Sequence, residues 1–368
     1  MKHALLVDVL RDPALALGFD SCSWDTLLRQ ARAATMAGKL GLRLREVMDP
    51  EKMPPAVRRA TESALVIAEK IRRDTTLELY VLRELFCDMP ERIILLKGTG
   101  YVAAGLRAAD GRVFGDIDIL VPRAALALVE DRLKAAGWSF GAIDAYDERY
   151  YRRWTHELPP LEHRLRGTLV DVHHAILQER EPAPDARARM LADARSLDER
   201  FAVLQPVDMV LHAAAHLFAD GEFDKGLRDL FDIVTLIRDF AEEDGAFWDG
   251  LLERASLMRL RQPLHYALDH GARLFALDVP QSVFRALAGE GRHDWFMRPL
   301  LHRGLMPHHD SAGDLLTAPA RGFLYVRAHY LRMPLVNLAM HLVRKAVHRD
   351  AKAGTPSLPG VPPTPQRG

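Results

Sequence analysis

The hexapeptide Asp116-Ile117-Asp118-Ile119-Leu120-Val121 constrains this chain more than any other stretch. Its alternation has the two-residue period of a strand, so Asp116 and Asp118 share one face while Ile117 and Ile119 share the other. Two like charges on one face are unfavourable unless a cation neutralises them, and paired hard oxygen donors suit Mg²⁺ or Mn²⁺. Taken alone, the hexapeptide reads equally well as a solvated strand edge.

A third carboxylate strengthens the first reading. In Leu169-Val170-Asp171-Val172-His173 a single acid again interrupts a β-branched apolar run, which as a strand would set Asp171 beside the first pair. Buried acids need partners, and one metal accounts for three convergent carboxylates more economically than three separate hydrogen-bonding arrangements. Upstream, Leu95-Leu96-Lys97-Gly98-Thr99-Gly100 lies where a strand turns into a helix. Small residues there let backbone N–H groups approach a phosphate, with the Thr99 hydroxyl as a further donor. A Gly-x-Gly turn by itself is common in any fold.

The surrounding chain gives these segments a context. Residues 1–88 are rich in Leu, Ala, Arg and Glu with helical spacing, as in Trp24, Leu27, Leu28 and Ala31; Ser23 is the expected N-cap, and Pro54-Pro55 punctuate the run. Residues 89–205 read as strand, helix (100–109), strand, helix (about 122–136, capped by Gly137) and further short strands to His174, broken at Pro159-Pro160 and Gly167. Residues 206–350 return to helix, with turns at Gly221, Gly245 and Gly291. The Pro-rich segment 351–368 has too little apolar content to offset ordering entropy and is expected to be a disordered tail. The expected class is α+β: a small mixed-sheet core between N- and C-terminal helical regions.

Bulk composition narrows the function classes. Fifty Lys+Arg balance fifty Asp+Glu in 368 residues, so there is no general attraction to nucleic acid or anionic lipid, and an anionic ligand must be met by a local cluster. Only two cysteines, Cys22 and Cys87, argue against a disulfide framework and for a reducing compartment, the cytoplasm. The N-terminal apolar run is interrupted by Asp8, Arg11 and Asp12, unlike a secretory signal, and Met333–Val343 is short of the roughly 20 residues that span a bilayer.

Other groups carry less. Lys97 either neutralises triphosphate charge or snorkels from the strand end, and Arg112 either clamps a phosphate or pairs with Asp110. His212 and His216 have a zinc-compatible spacing but lack the protease glutamate, so core positions are expected. His173 or His174 can flank the carboxylates, and His156 and Glu157 can line an acceptor cleft. Asp224, Arg228 and Asp232 fall four apart and read as a helix-surface ladder, with a role toward the nucleotide or acceptor as the alternative. Arg327, Arg332, Arg344, Lys345 and Arg349 make the last helical stretch basic, which packing against its neighbours explains better than a membrane or nucleic acid.

The glycine turn, the Asp-x-Asp strand and the third aspartate, in that order, resemble the DNA polymerase β-like nucleotidyltransferase superfamily, with Thr99 where that turn usually carries Gly or Ser. More closely, the chain resembles the bacterial family described as uncharacterised nucleotidyltransferases, over roughly residues 20–240, including HAAAHLFADGEFDKGLRDLFDI. The resemblance implies Gly98 and Thr99 at the triphosphate, and Asp116, Asp118 and Asp171 as metal ligands; Lys97 and Arg112, read from the residues themselves, are the further candidates at the nucleotide. It also implies transfer of a nucleoside monophosphate from an NTP, ATP being the expected donor, to an unknown acceptor with release of pyrophosphate, Asp171 serving as base. Two rival functions on the same scaffold are a nucleotide-binding regulator without turnover and a toxin-antitoxin type modifier of protein or RNA.

Overall fold

In the computed structural model, which describes residues 4–141, 157–175, 184–220 and 223–332, the chain opens with helices. These are α1 (Leu5–Arg11), α2 (Ser21–Ala33), α3 (Ala37–Arg45) and α4 (Pro55–Leu85). The cap of α2 is Asp20 rather than Ser23: its carboxylate accepts from the Ser23 N–H at 2.8 Å. A carboxylate caps as well as a hydroxyl and also complements the helix dipole. Pro54 and Pro55 punctuate as expected, Pro54 extended and Pro55 opening α4.

Seven strands then form one mixed sheet: β1 (Ile93–Leu95), β2 (Asp116–Leu120), β3 (Trp138–Phe140), β4 (Leu161–His163), β5 (Leu169–His173), β6 (Arg195–Ser196) and β7 (Phe201–Val203). Their order is β3-β4-β5-β2-β1-β7-β6. β2 runs parallel to β5 and antiparallel to β1, which in turn runs parallel to β7. Interleaved with them are α5 (Lys97–Ala103), α6 (Leu126–Ala135) and α7 (Pro184–Ala192). The helix expected over 100–109 stops early: Gly105 adopts φ +66°, and a separate 3₁₀ turn covers Arg107–Ala109. A residue in the left-handed region ends a helix, and glycine adopts it without steric cost.

The C-terminal region is helical: α8 (Pro206–Ala215), continued by a π-helical turn at His216–Asp220, then α9 (Gly226–Glu243), α10 (Phe247–Leu257), α11 (Arg261–Phe275), α12 (Gln281–Ala286), α13 (Asp294–Leu305) and α14 (Thr317–Arg332). One apolar core extends from Leu6 to Leu324 through all these regions. Gln30 ties its ends, accepting from the Leu6 N–H and donating to Ser311 Oγ, both at 2.9 Å. Cys22 and Cys87 are free and exposed. Among the described residues no helix is long and apolar enough to cross a membrane. Gly221, His156, Arg344, Lys345, Arg349 and the 351–368 tail lie outside the described residues, whereas Arg327 packs inward, donating to the Phe218 carbonyl at 2.9 Å.

A buried ion network fastens the helical regions to the sheet. Lys39 of α3 lies 2.7 Å from Asp232 of α9 and also donates to the carbonyls of Ala108 and Asp110. Arg112, in the loop before β2, pairs with the same Asp232 and with Asp229 at 3.2 Å. Arg228 pairs with Asp229 at 2.7 Å and donates to the Val113 carbonyl. The surface ladder of Asp224, Arg228 and Asp232 is therefore not formed. Asp224 precedes α9 with its side chain 93% exposed, while Asp232 turns inward because buried Lys39 and Arg112 need a counter-charge, and Arg228 turns inward onto Asp229 and the Val113 carbonyl. Arg112 likewise pairs with the α9 acids and not with Asp110.

Removing one member of a buried pair costs more than the pair contributes, because it strands the remaining charge. Asp232→Ala, which strands two cations, is expected to lower stability by about 3–5 kcal/mol in denaturant titration; a loss below about 1 kcal/mol would show that the network is peripheral.

Candidate metal centre

Register brings the aspartates together. In the parallel β2–β5 ladder Asp118 is paired with Asp171, and Asp116 follows on the same face of β2 with the side-chain period of two. Ile117, Ile119, Val170 and Val172 project to the opposite face and are buried. One ligand atom from each of Asp116, Asp118 and Asp171 lies within 4.8 Å of the other two, and this is the one such cluster among the described residues.

The three carboxylates differ in environment. Burial disfavours the charged form of Asp118, but the Lys97 charge and the His173 hydrogen bond overcome it and hold its pKa well below the usual carboxylate range. Lys97 Nζ and His173 Nε2 both contact the same oxygen, Oδ1, at 2.8 and 2.9 Å. The other ring nitrogen of His173 lies 3.3 Å from the Glu157 carboxylate. Asp171 has no such cation: burial, followed by the charges of Asp118 and Glu157, pushes its pKa up to about 7. Its Oδ1 is buried with no hydrogen-bond partner. An orphaned carboxylate oxygen facing two more acids is the donor set that a hard divalent cation satisfies. Lys97 fills only one side of Asp118 and leaves that demand unmet.

The turn before β2 sits against this cluster for steric reasons. A Cβ on Gly98 would come within 2.9 Å of the Phe114 ring and 3.1 Å of Arg112 Nε, and one on Gly100 within 2.7 Å of the Leu95 carbonyl oxygen. Both glycines thus permit close packing of α5. Thr99 is fully buried, and its hydroxyl faces the Asp116 carbonyl at 3.4 Å rather than open space. Its side chain thus ties the turn to β2. Arg112 is buried beneath Gly98, its Nη1 against Asp229 and Asp232 and its Nε without a hydrogen-bond partner. Lys97 alone of the four expected nucleotide-binding residues extends a charged head to the aspartates, from a backbone at φ +46°.

His212 is buried beside the cluster, and burial, with the charges of Lys97 and His173, pushes its pKa down to about 3, so it is a neutral imidazole. It joins no metal-ligating group, and His216 opens the π-helical turn. Two participants carried little or no signal in the sequence. Glu157 reaches the site through a single bridge to β5, and Asp229 stands one residue off the four-residue spacing that drew attention to Arg228 and Asp232.

Comparison with curated proteins gives no match, and neither does comparison with solved structures. The family model described as "uncharacterised nucleotidyltransferase" matches residues 20–276, which include all of β1, β2, β5 and α9. The chain therefore belongs to the uncharacterised nucleotidyltransferase family.

Proposed function

We propose that the chain is a metal-dependent transferase of the DNA polymerase β-like type, which moves a nucleoside monophosphate from an NTP, ATP being the expected donor, to an acceptor hydroxyl or phosphate. The observation that carries this reading is the convergence of Asp116, Asp118 and Asp171 across two parallel strands, with the Asp171 oxygen orphaned, in a chain of this family. Asp116, Asp118 and Asp171 would hold Mg²⁺ or Mn²⁺, which when bound neutralises the clustered charge, acidifies the acceptor and stabilises the departing pyrophosphate.

The protein's own groups divide the remaining work. Lys97 meets the triphosphate, whose backbone contacts come from the turn at Gly98 and Thr99. Asp171, with its raised pKa, takes the acceptor proton as the acceptor oxygen attacks the α-phosphorus and the bond to pyrophosphate breaks. Asp118 keeps its charge throughout because Lys97 and His173 stand beside it. The buried network of Arg112, Asp229 and Asp232 keeps the turn in place from below.

With labelled NTPs, Mg²⁺ or Mn²⁺ and a pool of metabolites, wild-type protein is expected to release pyrophosphate and label an acceptor. Chelation of the metal, or Asp118→Ala, should reduce both to background; turnover that survives Asp118→Ala overturns the proposal, and nucleotide binding without turnover by the wild type favours a regulatory module.

Stability reports on the same site without needing the acceptor. A carboxyl whose pKa rises on folding favours the native state below its unfolded pKa, near 4, and this contribution is lost as pH climbs through about 7. At pH 8 Asp171→Asn should therefore melt above the metal-free wild type. Millimolar Mg²⁺ or Mn²⁺ should raise the wild-type melting temperature and leave Asp171→Asn unmoved. Equal metal-induced shifts in the two proteins would remove Asp171 from the ligand set.

A further inference from the structure

We propose that Lys97 is the resident counter-ion of the aspartate cluster: it holds Asp118 while no cation is bound and passes to the triphosphate when metal and nucleotide arrive. The inference rests on the nucleotidyltransferase reading above and adds a coupling between the two ligands. Three observations carry it. The ammonium contacts Asp118 Oδ1 at 2.8 Å, and His173 Nε2 contacts that same oxygen at 2.9 Å, so both bonds fall on one side of the carboxylate. The Lys97 side chain retains 17% exposure against 3% for Asp118, which puts the ammonium at the open side of a buried carboxylate. And the Lys97 backbone is left-handed at φ +46°, a conformation that a non-glycine residue holds only where its surroundings compensate for the strain.

Together these features make Lys97 a device with two positions. Its left-handed backbone opens α5 at the point where the chain leaves β1, and from there the side chain turns back to β2. Four rotatable bonds let the ammonium leave Asp118 without moving the turn. A bare divalent cation entering the cluster meets a fixed positive charge and must compete with it for Asp118. A triphosphate reverses that balance, because its oxygens offer the ammonium a new partner and release Asp118 to the cation. By linkage, each ligand then raises the affinity for the other.

The full-length chain is titrated with Mn²⁺ alone, following free Mn²⁺ by electron paramagnetic resonance, and then with a non-hydrolysable ATP analogue at saturating Mn²⁺. In Lys97→Met, Mn²⁺ alone is expected to bind about tenfold tighter and the analogue about tenfold weaker, opposite signs that a lysine serving only to brace the turn cannot produce. Lys97→Arg, which keeps the charge, should stay near wild type in both titrations. Lys97→Gln gives the same reading as Lys97→Met should the apolar variant fail to fold. Mn²⁺ affinity that is unchanged or weaker in the neutral variants overturns the proposal. Failure of the parent reading looks different: Asp118→Asn would then bind Mn²⁺ as wild type does, whatever the Lys97 variants do.

Discussion

Asp232 is the point on which the architecture turns. A single carboxylate, 1% exposed, answers Lys39 from the N-terminal helices and Arg112 from the loop that leads into β2. Water cannot solvate these charges, so each depends on the others, and the three chain segments that contribute them are held in one arrangement. Because Arg112 Nε also packs under Gly98, the same network sets the height of the turn above the aspartates. The helical regions are therefore part of how the site is built.

Above that support, the fold distributes charge unevenly among three like groups. Asp118 receives the Lys97 ammonium and the His173 ring on one oxygen, while Asp171, its direct partner in the ladder, receives neither. Equal treatment would have left either three neutralised acids with no demand for metal or three repelling ones with no stable apo form. The asymmetry avoids both outcomes, and it separates a charged carboxylate from one that exchanges a proton near neutrality.

The parts of this arrangement that follow a local period were legible in the sequence. The alternation in 116–121 and 169–173 marked two strands and the faces of their acids, and proline and glycine marked the start of α4 and the end of α6. Contacts set by tertiary packing left no such trace. β7, Phe201–Val203, is buried throughout and shows no alternation, and β6 has only two residues. Asp232 looked like a member of a solvated helix face, and Asp229 drew no notice, until Lys39 and Arg112, far off in sequence, were placed against that helix. Thr99 had the chemistry of a phosphate donor, but its neighbours turned the hydroxyl inward.

The pairing of Asp118 with Asp171 has an evolutionary corollary. Their separation is fixed by the hydrogen-bonded ladder between β2 and β5, which the 48 residues from Val121 to Thr168 join. Within that connection α6, β3 and β4 belong to the same core and sheet, so changes of length between these elements leave the Asp118–Asp171 register constant. Divergence among relatives should therefore concentrate between those elements, in a connection whose Glu157 carboxylate lies 3.3 Å from His173, the neighbour of Asp118. On the proposed function, a new acceptor is accommodated by altering that connection rather than the paired strands.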